Sequence, residues 1–425
     1  MRRRYFGTDG VRGIFGEDLT EDLVRRLGRA FAGWSDGCPV LVGRDTRASG
    51  AALELALSSG LAAGGSPVRW GGILPTPAVP LLADGCGAVI SASHNPPEYN
   101  GVKFFDREGF KLSDADEAAI EELLDGPGAD ASVEERWPEP EELGDRYVEL
   151  VTARFGVPLA GLRVVCDCAN GAMSDVAPAA FARLGADVTA IGDDPDGTNI
   201  NVGCGAGALG LVSKTTIAAG ADFGVAFDGD GDRMLAVDAA GREVDGDQIV
   251  AILALHLGVD LVAVTTMTNL GFHRLMDERG VRVVTTDVGD RYVLAALRRE
   301  GGRLGGEQSG HVVYLDGHTT GDGLVAALLV ARAVVESGRD LGDLAAAMPR
   351  LPQVKANVPV ASNEIPPDVA AEVGRLNGAL AGRARVLVRP SGTEPVLRVL
   401  AEAPTGSEAE ELCGRICQLV ATKLG

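Results

Sequence analysis

The chain reads Ile90-Ser91-Ala92-Ser93-His94-Asn95-Pro96 directly after the apolar residues 87–89. The apolar run predicts a buried strand, and the polar residues and proline predict a loop at its carboxyl end. Asn100-Gly101-Val102-Lys103 follows, in which the Asn-Gly pair predicts a turn leading into a lysine. A hydroxyl in such a loop, beside His and Lys, is typical of a group that accepts or donates a transferred group. An ordinary polar loop explains the segment about equally well, so the choice between a group-transfer site and a structural loop depends on the motifs in the rest of the chain.

Composition and charge limit the classes of function. The chain has 425 residues, 46% hydrophobic and 23% charged, which is typical of about two to four globular domains. It has 39 Lys and Arg against 60 Asp and Glu, a net charge of −21, which disfavours nucleic acid and anionic membranes as partners. No apolar stretch is long enough to span a membrane. The seven scattered cysteines and the lack of an apolar run behind the basic amino terminus predict free thiols in a cytoplasmic protein.

Strand-like and helix-like segments alternate along most of the chain. Strands are predicted at 40–43, 163–168, 187–191, 222–227, 261–266 and 281–286. This alternation favours right-handed crossovers and largely parallel sheets, with ligands at the carboxyl ends of the strands. Thr20 predicts the start of a helix with buried Leu23, Leu27, Ala30 and Phe31. Residues 125–145 are acidic and rich in Pro and Gly, which predicts an edge or linker. Three similar units indicate an internal repeat, followed by a smaller α+β domain.

Asp228, Asp230 and Asp232 are separated by single glycines at the end of a predicted strand. Three carboxylates this close repel one another unless a cation lies between them, and glycines let the backbone wrap so that the oxygens converge. The pattern favours a hard divalent cation such as Mg²⁺, one per chain. The alternative, a hairpin turn, needs one Asp-Gly pair and has no use for Arg233. A phosphate carried on Ser93 would suit the same cation, and Arg233 would help to neutralise charge during phosphoryl transfer.

Three further segments offer groups suited to a phosphorylated sugar. Arg389-Pro390-Ser391-Gly392-Thr393-Glu394-Pro395, with Arg398 beyond it, offers guanidinium, hydroxyl and backbone N–H donors for an anion, although a simple hairpin turn is the alternative. Glu307-Gln308-Ser309-Gly310-His311 offers donors and acceptors for sugar hydroxyls, with a satisfied polar loop as the alternative. The glycine-rich amino-terminal segment can bend tightly and bring Thr8 and Arg12 near a ligand.

Four motifs, in this order, resemble the phosphoserine, metal, sugar and phosphate loops of the α-D-phosphohexomutase family. They are Ser-Ala-Ser-His-Asn-Pro, Asp-Gly-Asp-Gly-Asp-Arg, Gly-Glu-Gln-Ser-Gly-His and Arg-Pro-Ser-Gly-Thr-Glu-Pro. The resemblance covers nearly the whole chain. It implies an α/β fold of four domains around a central cleft, in which three similar α/β domains with mixed sheets precede a smaller C-terminal α+β domain. The corresponding bounds are 1–143, 144–245, 246–351 and 352–425.

Segments 6–13, 288–293, 306–311 and 319–323 are most similar to the family members that act on glucosamine phosphates. This resemblance implies interconversion of glucosamine 6-phosphate and glucosamine 1-phosphate through a bisphosphorylated sugar, on the route to UDP-N-acetylglucosamine, with a homodimer as one option. The alternatives are a phosphomannomutase or phosphoglucomutase of the same family and, more distantly, a non-catalytic sugar-phosphate binding protein. A Ser/His hydrolase is disfavoured because no Gly-x-Ser-x-Gly elbow is present.

Matched by position, the resemblance assigns roles to individual residues. Ser93 is the phosphorylated serine, and it joins the three aspartates as a metal ligand. Lys103 is the favoured general base, a role that requires a lowered lysine pKa. His94 and Arg12 lie near the transferring phosphate. The substrate contacts are Thr8, Arg233, Glu307, Ser309, His311, Arg389, Ser391, Gly392, Thr393 and Arg398.

Two segments depart from the family pattern. Ala206-Gly207-Ala208-Leu209-Gly210 lacks the hydroxyls and the acid that the family usually carries there, which removes groups that could contact a neighbouring domain. Thr286-Asp287 stands where a more basic neighbour is expected. This second departure bears on how the adjacent loop selects its sugar.

Overall fold

The structure, a computed structural model, describes residues 4–7, 9–124, 139–360, 364–391 and 395–424. It divides into two compact units. The first contains the described residues up to Met267 together with Val281–Ala346, and the second contains Thr268–Gly280 and the described residues from Ala347 onward. No helix in these ranges is both long and apolar enough to cross a membrane. Most of the segment predicted as a linker at 125–145 lies outside the described residues.

The first sheet combines parallel and antiparallel strands. Its region contains β1 (Val11–Ile14), α1 (Glu21–Trp34), β2 (Val40–Arg44), α2 (Gly50–Ala63), β3 (Val68–Ile73), α3 (Ala78–Leu82), β4 (Cys86–Ile90), β5 (Tyr99–Phe105) and α4 (Asp114–Leu124). The strand order is β1-β5-β4-β2-β3, with β2 parallel to β3 and β4, and β5 antiparallel to β4 and β1. Helix α1 begins as predicted, because the Thr20 side chain accepts a hydrogen bond from the Leu23 N–H.

The Asn-Gly pair before Lys103 does not form a turn, so the prediction of a turn at Asn100-Gly101 is wrong. Both residues lie inside β5. Gly101 pairs with Arg12 of β1, and a Cβ at Gly101 would meet the carbonyl oxygens of Ser91 and Val11 at 2.6 and 2.8 Å. The glycine therefore serves the close approach of neighbouring backbones. Lys103 projects from a strand that pairs directly with β4.

The second and third sheets repeat this arrangement. The second region contains α5 (Gly144–Phe155), β6 (Arg163–Asp167), α6 (Val176–Arg183), β7 (Asp187–Ile191), α7 (Gly210–Ala219), β8 (Phe223–Phe227), β9 (Met234–Asp238) and β10 (Glu243–Val244). The third contains α8 (Gly246–Leu257), β11 (Leu261–Thr265), α9 (Leu270–Glu278), β12 (Arg282–Thr286), α10 (Asp290–Glu300), β13 (Leu304–Gly306), β14 (Val312–Tyr314), α11 (Gly323–Ser337) and α12 (Leu341–Ala345). The strand orders are β10-β9-β8-β6-β7 and β12-β11-β13-β14.

One topology is common to these three sheets. Each has three parallel strands, as predicted from the alternation, with the first strand between the second and the third. An antiparallel strand then pairs with the third: β5 with β4, β9 with β8, and β14 with β13. The mixed sheets and the internal repeat inferred from the sequence are thus present in the first unit.

The second unit is an α+β structure, as predicted. It contains β15 (Gln353–Pro359), α13 (Pro367–Leu380), β16 (Arg385–Pro390), β17 (Val396–Glu402) and α14 (Gly406–Leu424). The strand order is β15-β17-β16, and both pairings are antiparallel. Helix α9 also belongs to this unit. Its N-cap residue Asn269 donates a hydrogen bond to the Leu351 carbonyl at 3.0 Å, and Arg274 donates to the Gly382 carbonyl at 2.8 Å.

The candidate loops occupy equivalent positions in their sheets. The Ser93 loop joins β4 to β5, the Asp228 loop joins β8 to β9, and the Glu307 loop joins β13 to β14. The Ser391 loop likewise joins the antiparallel strands β16 and β17. In the first unit, each loop therefore starts at the carboxyl end of a parallel strand, where α/β sheets bind ligands.

Candidate active site

Ser93 occupies an unusual backbone conformation. Its φ is 54°, in the left-handed region, and the residue is completely buried. A non-glycine residue in this region costs about 1–2 kcal/mol, and such residues persist where surrounding contacts hold them. The Ser93 Oγ donates to Asp228 Oδ2 at 2.5 Å and lies 3.4 Å from His94 Nδ1. The hydroxyl thus points at the aspartate cluster, as the sequence predicts.

Buried polar side chains from separate segments hold the Ser93 loop. Arg47 is 1% exposed and donates to the carbonyl oxygens of Ser93 and Asn95, at 3.1 and 2.8 Å. Its guanidinium also bonds the carbonyls of Tyr99 and Pro96 and pairs with the Asp45 carboxylate. This single cation therefore donates to four carbonyl oxygens between Ser93 and Tyr99 and ties the loop to the end of β2.

A second set of contacts completes the support of the loop. The Ser93 N–H donates to Ser91 Oγ at 2.8 Å, and the Ser91 hydroxyl donates to Asp45 at 2.6 Å. Asn201 Nδ2 donates to the carbonyls of Ser93 and Asn95 at 2.9 and 3.1 Å. The loop is therefore fixed by both the first and the second α/β regions of the unit.

The three aspartates converge as predicted. One oxygen each of Asp228, Asp230 and Asp232 lies within 4.8 Å of the others, and all three residues are buried. Gly231 permits the convergence with a φ of 73°. Thr76, from the segment after β3, donates its hydroxyl to Asp230 Oδ2 at 2.6 Å and its N–H to the Asp230 carbonyl at 2.8 Å.

The electrostatics of this cluster fit a bound cation. Burial, together with the charges of Asp230 and Asp232, raises the pKa of Asp228 to about 8. Buried oxygens of both neighbours, Asp230 Oδ1 and Asp232 Oδ1, have no hydrogen-bond partner. Buried carboxylates that repel one another and keep free oxygens are the donor set that a hard divalent cation prefers. The cluster can therefore hold a metal ion.

Lys103 compensates part of this negative charge. Its Nζ lies 2.8 Å from Asp230, 3.3 Å from Asp232 and 3.0 Å from Asp9. Burial alone would lower the pKa of Lys103, but these three carboxylates raise it well above its ordinary value. The lowered pKa that a general base requires is therefore absent in this arrangement. Lys103 could act as a general base only after the charges of the aspartates are neutralised, so its role as a base stays a prediction.

Arg12, His94 and Arg233 lie around the same cluster. Arg12 bonds Asp9, and Arg233 Nε lies 3.8 Å from Asp232 Oδ1. Part of the His94 ring is exposed, yet burial of the rest, with the charges of Arg233 and Arg12, lowers its pKa to about 4. The imidazole is therefore neutral at pH 7. Two guanidinium groups whose charges act on His94, the residue after Ser93, suit an anionic group on that serine.

The Glu307 loop reaches the metal loop through the backbone. Residues Arg233 and His311 form an antiparallel bridge, and the His311 ring lies 3.6 Å from Asp232. Glu307 is largely buried, and its carboxylate accepts the Gly289 N–H at 3.0 Å. Ser309 is exposed. The predicted sugar-binding loop thus lies in the first unit, where His311 approaches the predicted metal-binding Asp232.

The second unit carries the remaining predicted residues. Arg389 of β16 lies directly opposite Arg398 of β17, and Arg398 donates to Ser391 Oγ at 3.1 Å. Two guanidinium groups and a hydroxyl on one hairpin offer the donors that suit a phosphate or another anion. Ser391 is buried, with its N–H bonded to the Val396 carbonyl at 2.9 Å. The arrangement favours an anion at this hairpin.

Three predicted contacts, Thr8, Gly392 and Thr393, lie outside the described residues. Sequence reasoning in turn missed residues that support the site. Arg47 and Asp45 follow β2, at the carboxyl end of a parallel strand, and that position alone could have marked them. Asn201 and Thr76 each contribute one side chain from a loop that carries no recognised motif, so the local sequence does not identify them.

The departure at Ala206–Gly210 does not remove the contacts between the first two regions. Asn201 bonds the Ser93 loop, Thr46 donates to the Asn170 carbonyl at 2.5 Å, and Ala48 donates to the Gly197 carbonyl at 2.9 Å. Segment 206–210 instead turns locally, with the Ala206 N–H bonded to the Phe227 carbonyl at 2.8 Å. Other residues therefore make the contacts that this segment was expected to lose.

Family models match almost the whole chain. Those described as phosphoglucomutase/phosphomannomutase alpha/beta/alpha domains I, II and III match residues 3–128, 145–241 and 245–351, and the one described as the C-terminal domain matches 344–419. The chain therefore belongs to the phosphoglucomutase/phosphomannomutase family. This confirms the resemblance noted from the four loops.

Named relatives are similar over their full length. The phosphoglucosamine mutase of Saccharopolyspora erythraea is 48% identical, with 98% of this chain and 99% of the relative covered. That of Bacillus subtilis is 42% identical, with 99% of each covered. Among solved structures, a putative phosphomannomutase from Thermus thermophilus has a TM-score of 0.81 at 26% identity, covering 99% of each chain. Aspergillus fumigatus N-acetylphosphoglucosamine mutase, solved with GlcNAc-6P and magnesium, has a TM-score of 0.70 at 20% identity. The match covers 100% of this chain and 96% of that chain, and it shows that the two share the fold.

Proposed function

We propose that this chain is a phosphoglucosamine mutase, an isomerase that interconverts glucosamine 6-phosphate and glucosamine 1-phosphate. The observation that carries the proposal is the contact between the buried Ser93 hydroxyl and the aspartate cluster, in a chain 42–48% identical to enzymes of that name. The product would serve UDP-N-acetylglucosamine synthesis. A phosphomannomutase or phosphoglucomutase is the less favoured alternative, because the relatives that are 42% and 48% identical are both named phosphoglucosamine mutase.

Phosphoryl transfer starts from a phosphorylated Ser93. The bond between phosphorus and Ser93 Oγ breaks while a bond forms to a sugar hydroxyl, whose proton passes to a base. The bisphosphorylated sugar then turns round, and its other phosphoryl group returns to Ser93 as the proton is given back. Arg12 and Arg233 lie where they can stabilise the negative oxygens of the group in transit, and neutral His94 can donate a hydrogen bond to it.

Lys103 is the base that we favour, since its Nζ lies beside the aspartates that surround Ser93. Loss of negative charge on Asp230 and Asp232 removes the two largest contributions that raise its pKa. Glu307 and Ser309 hold sugar hydroxyls, and His311 orients Asp232. Arg389, Ser391, Thr393 and Arg398, with Gly392, bind the phosphate that is not being transferred, and Thr8 is a further substrate contact.

We propose Mg²⁺ as the metal, held by Asp228, Asp230, Asp232 and an oxygen on Ser93. When bound, the ion supplies positive charge that neutralises the carboxylates and polarises the phosphoryl oxygens. The observation in support is the set of buried carboxylate oxygens without hydrogen-bond partners. The all-oxygen donor set favours Mg²⁺ over softer metals.

Replacing Asp230 with Asn is expected to weaken Mg²⁺ binding by more than about 100-fold, since outer contacts alone contribute about 10–100-fold. Isothermal titration calorimetry of the purified chain measures this without any assay of activity. Thr76→Val is the graded control, because it removes only the hydroxyl that supports Asp230 and should cost less. Equal affinities for the unmodified chain and Asp230→Asn would exclude the aspartates as the metal site.

The sugar assignment is tested by comparing turnover of glucosamine 1-phosphate, mannose 1-phosphate and glucose 1-phosphate. We expect glucosamine 1-phosphate to be the fastest, measured as kcat/KM by a coupled assay of the 6-phosphate products. Faster turnover of either neutral sugar overturns the assignment to glucosamine but keeps the family. No turnover of any of the three, with all three bound, would favour the non-catalytic sugar-phosphate binding protein.

We further propose the domain bounds 1–143, 144–245, 246–351 and 352–425. Each range contains one of the sheets and one of the candidate loops, which supports the division.

A cytoplasmic location is also proposed, in agreement with seven free thiols.

A further inference from the structure

A second lysine reaches the site on the backbone that carries Lys103. After β5 the chain turns back, and Lys111 forms an antiparallel bridge with Phe105. Asp106 closes this turn, because its carboxylate accepts the Phe110 N–H at 2.9 Å. The hairpin at 99–111 therefore fixes the backbones of both lysines relative to each other.

Lys111 joins carboxylates from three parts of the first unit. Its Nζ lies 2.8 Å from Asp9 Oδ1 and 3.9 Å from Asp232 Oδ2, and it also bonds Asp290, the first residue of α10. The other oxygen of Asp9 lies 3.0 Å from Lys103 Nζ. The side chains thus form a chain of alternating charges that runs from Asp290 through Lys111 and Asp9 to Lys103.

The start of α10 also contacts the proposed sugar loop. Gly289, next to Asp290, donates its N–H to the Glu307 carboxylate at 3.0 Å. The Nε2 of His311 lies 3.4 Å from Asp290 Oδ2. One end of the charge chain therefore lies against the group proposed to hold the sugar, and the other end is the proposed base.

Neighbouring contacts pack α10 against the hairpin and α4 without reaching the reacting groups. Arg291 bonds Glu117 and Asp114 of α4 at 2.9 and 2.5 Å. Arg298 lies over the Phe110 ring, 4.0 Å from its centroid. These contacts would hold the two segments together whether or not the inner pair took part in the reaction.

We propose that Asp290 and Lys111 are positioning residues for phosphoryl transfer, acting through Asp9 on the amine of Lys103. Asp9 contacts Lys111 through Oδ1, and Lys103 and Arg12 through Oδ2, so its position beside Lys103 depends in part on Lys111. Lys111 in turn is drawn away from Asp232 by Asp290. Loss of the Asp290 charge leaves Lys111 free to approach Asp232. This movement displaces Asp9 and changes the balance of charges around Lys103. The inference rests on the proposed function, because Lys103 is the base of that reaction.

Asp290→Asn and Arg291→Gln form a matched pair for the test. The two residues are adjacent, and each variant removes one charge from an ion pair between the start of α10 and the segment of hairpin and α4. We expect both to lower the melting temperature to a similar extent. Asp290→Asn alone should also lower kcat, by about 10- to 100-fold, as small misplacements of reacting groups do, while KM changes far less. Asp290→Glu should restore most of the lost kcat.

The outcomes separate this inference from the function on which it rests. The unmodified chain is first assayed with the three hexose 1-phosphates, and the variants are then compared on the sugar that it turns over. Equal loss of kcat in Asp290→Asn and Arg291→Gln, or an unchanged kcat in Asp290→Asn, would overturn the positioning role. An unmodified chain that turns over none of the sugars would instead refute the proposed function, and the positioning role with it.

Discussion

Replacement of Ser93 by Ala is expected to lower turnover by about 10⁴-fold or more, because the side chain that carries the phosphoryl group is gone. The fold should persist, since the Ser93 hydroxyl makes one hydrogen bond to Asp228 and the backbone contacts of the loop remain. Turnover is measured with glucosamine 1-phosphate, and folding is checked by circular dichroism. Intact-mass measurement should find one extra phosphoryl group on the unmodified chain and none on the variant.

Ser93→Gly provides a control that separates chemistry from strain. It removes the same hydroxyl but relieves the left-handed backbone, which costs a non-glycine residue about 1–2 kcal/mol. The greater chain entropy of glycine offsets about 0.5–1 kcal/mol of this gain. Ser93→Gly should therefore be more stable than Ser93→Ala by up to about 1.5 kcal/mol, and equally inactive. Retained turnover in either variant would sink the phosphoserine mechanism.

Replacement of Arg47 by Met is expected to destabilise the protein by about 3–5 kcal/mol, the cost of removing one member of a buried ion pair. Both the Arg47 and Asp45 side chains are completely buried, so Asp45 would keep an uncompensated charge. The carbonyl oxygens of Ser93 and Asn95 would also lose a donor. Urea unfolding followed by circular dichroism measures the change in the free energy of unfolding.

Arg25→Met is the matched control for this change. Arg25 is 43% exposed and lies 3.9 Å from the exposed carboxylate of Asp22, an arrangement that contributes about 0–1 kcal/mol. Combining Arg47→Met with Asp45→Asn should cost less than the sum of the two single changes, because the orphaned charge is then removed. A loss in Arg47→Met no larger than that in Arg25→Met would show that the guanidinium does not support the Ser93 loop.

Local pattern was enough to predict most of the parallel strands in the three repeated sheets, but not the strands that pair antiparallel with them. Strand β7 matches the prediction at 187–191, and β8 lies within the prediction at 222–227, because apolar runs with polar borders define both strands locally. Strand β5 was mistaken for a turn at Asn100-Gly101, because that pair is a turn signal unless a distant strand approaches closely. The approach of β1, far away in the sequence, decides the outcome.

The proposed reacting groups could be selected from the sequence because each lies in a contiguous motif. Ser93 and the three aspartates come from two short loops whose residue types and spacing already indicate their chemistry. Arg47, Asn201 and Thr76 act through single contacts with distant backbone or side chains, which only the folded chain brings together. The raised pKa of Lys103 was missed for the same reason, since Asp9, Asp230 and Asp232 come from two separate segments.

The fixed Ser93 loop has a kinetic consequence. Arg47 and Asn201 hold the carbonyls of Ser93 and Asn95, so the serine keeps one position whether it gives or receives a phosphoryl group. In the proposed cycle, the Ser93 loop therefore does not have to move between the two half-reactions, and the protein spends little free energy on rearrangement in either of them. The large motion is left to the bisphosphorylated sugar, whose rotational diffusion within the site becomes the natural place for a slow step.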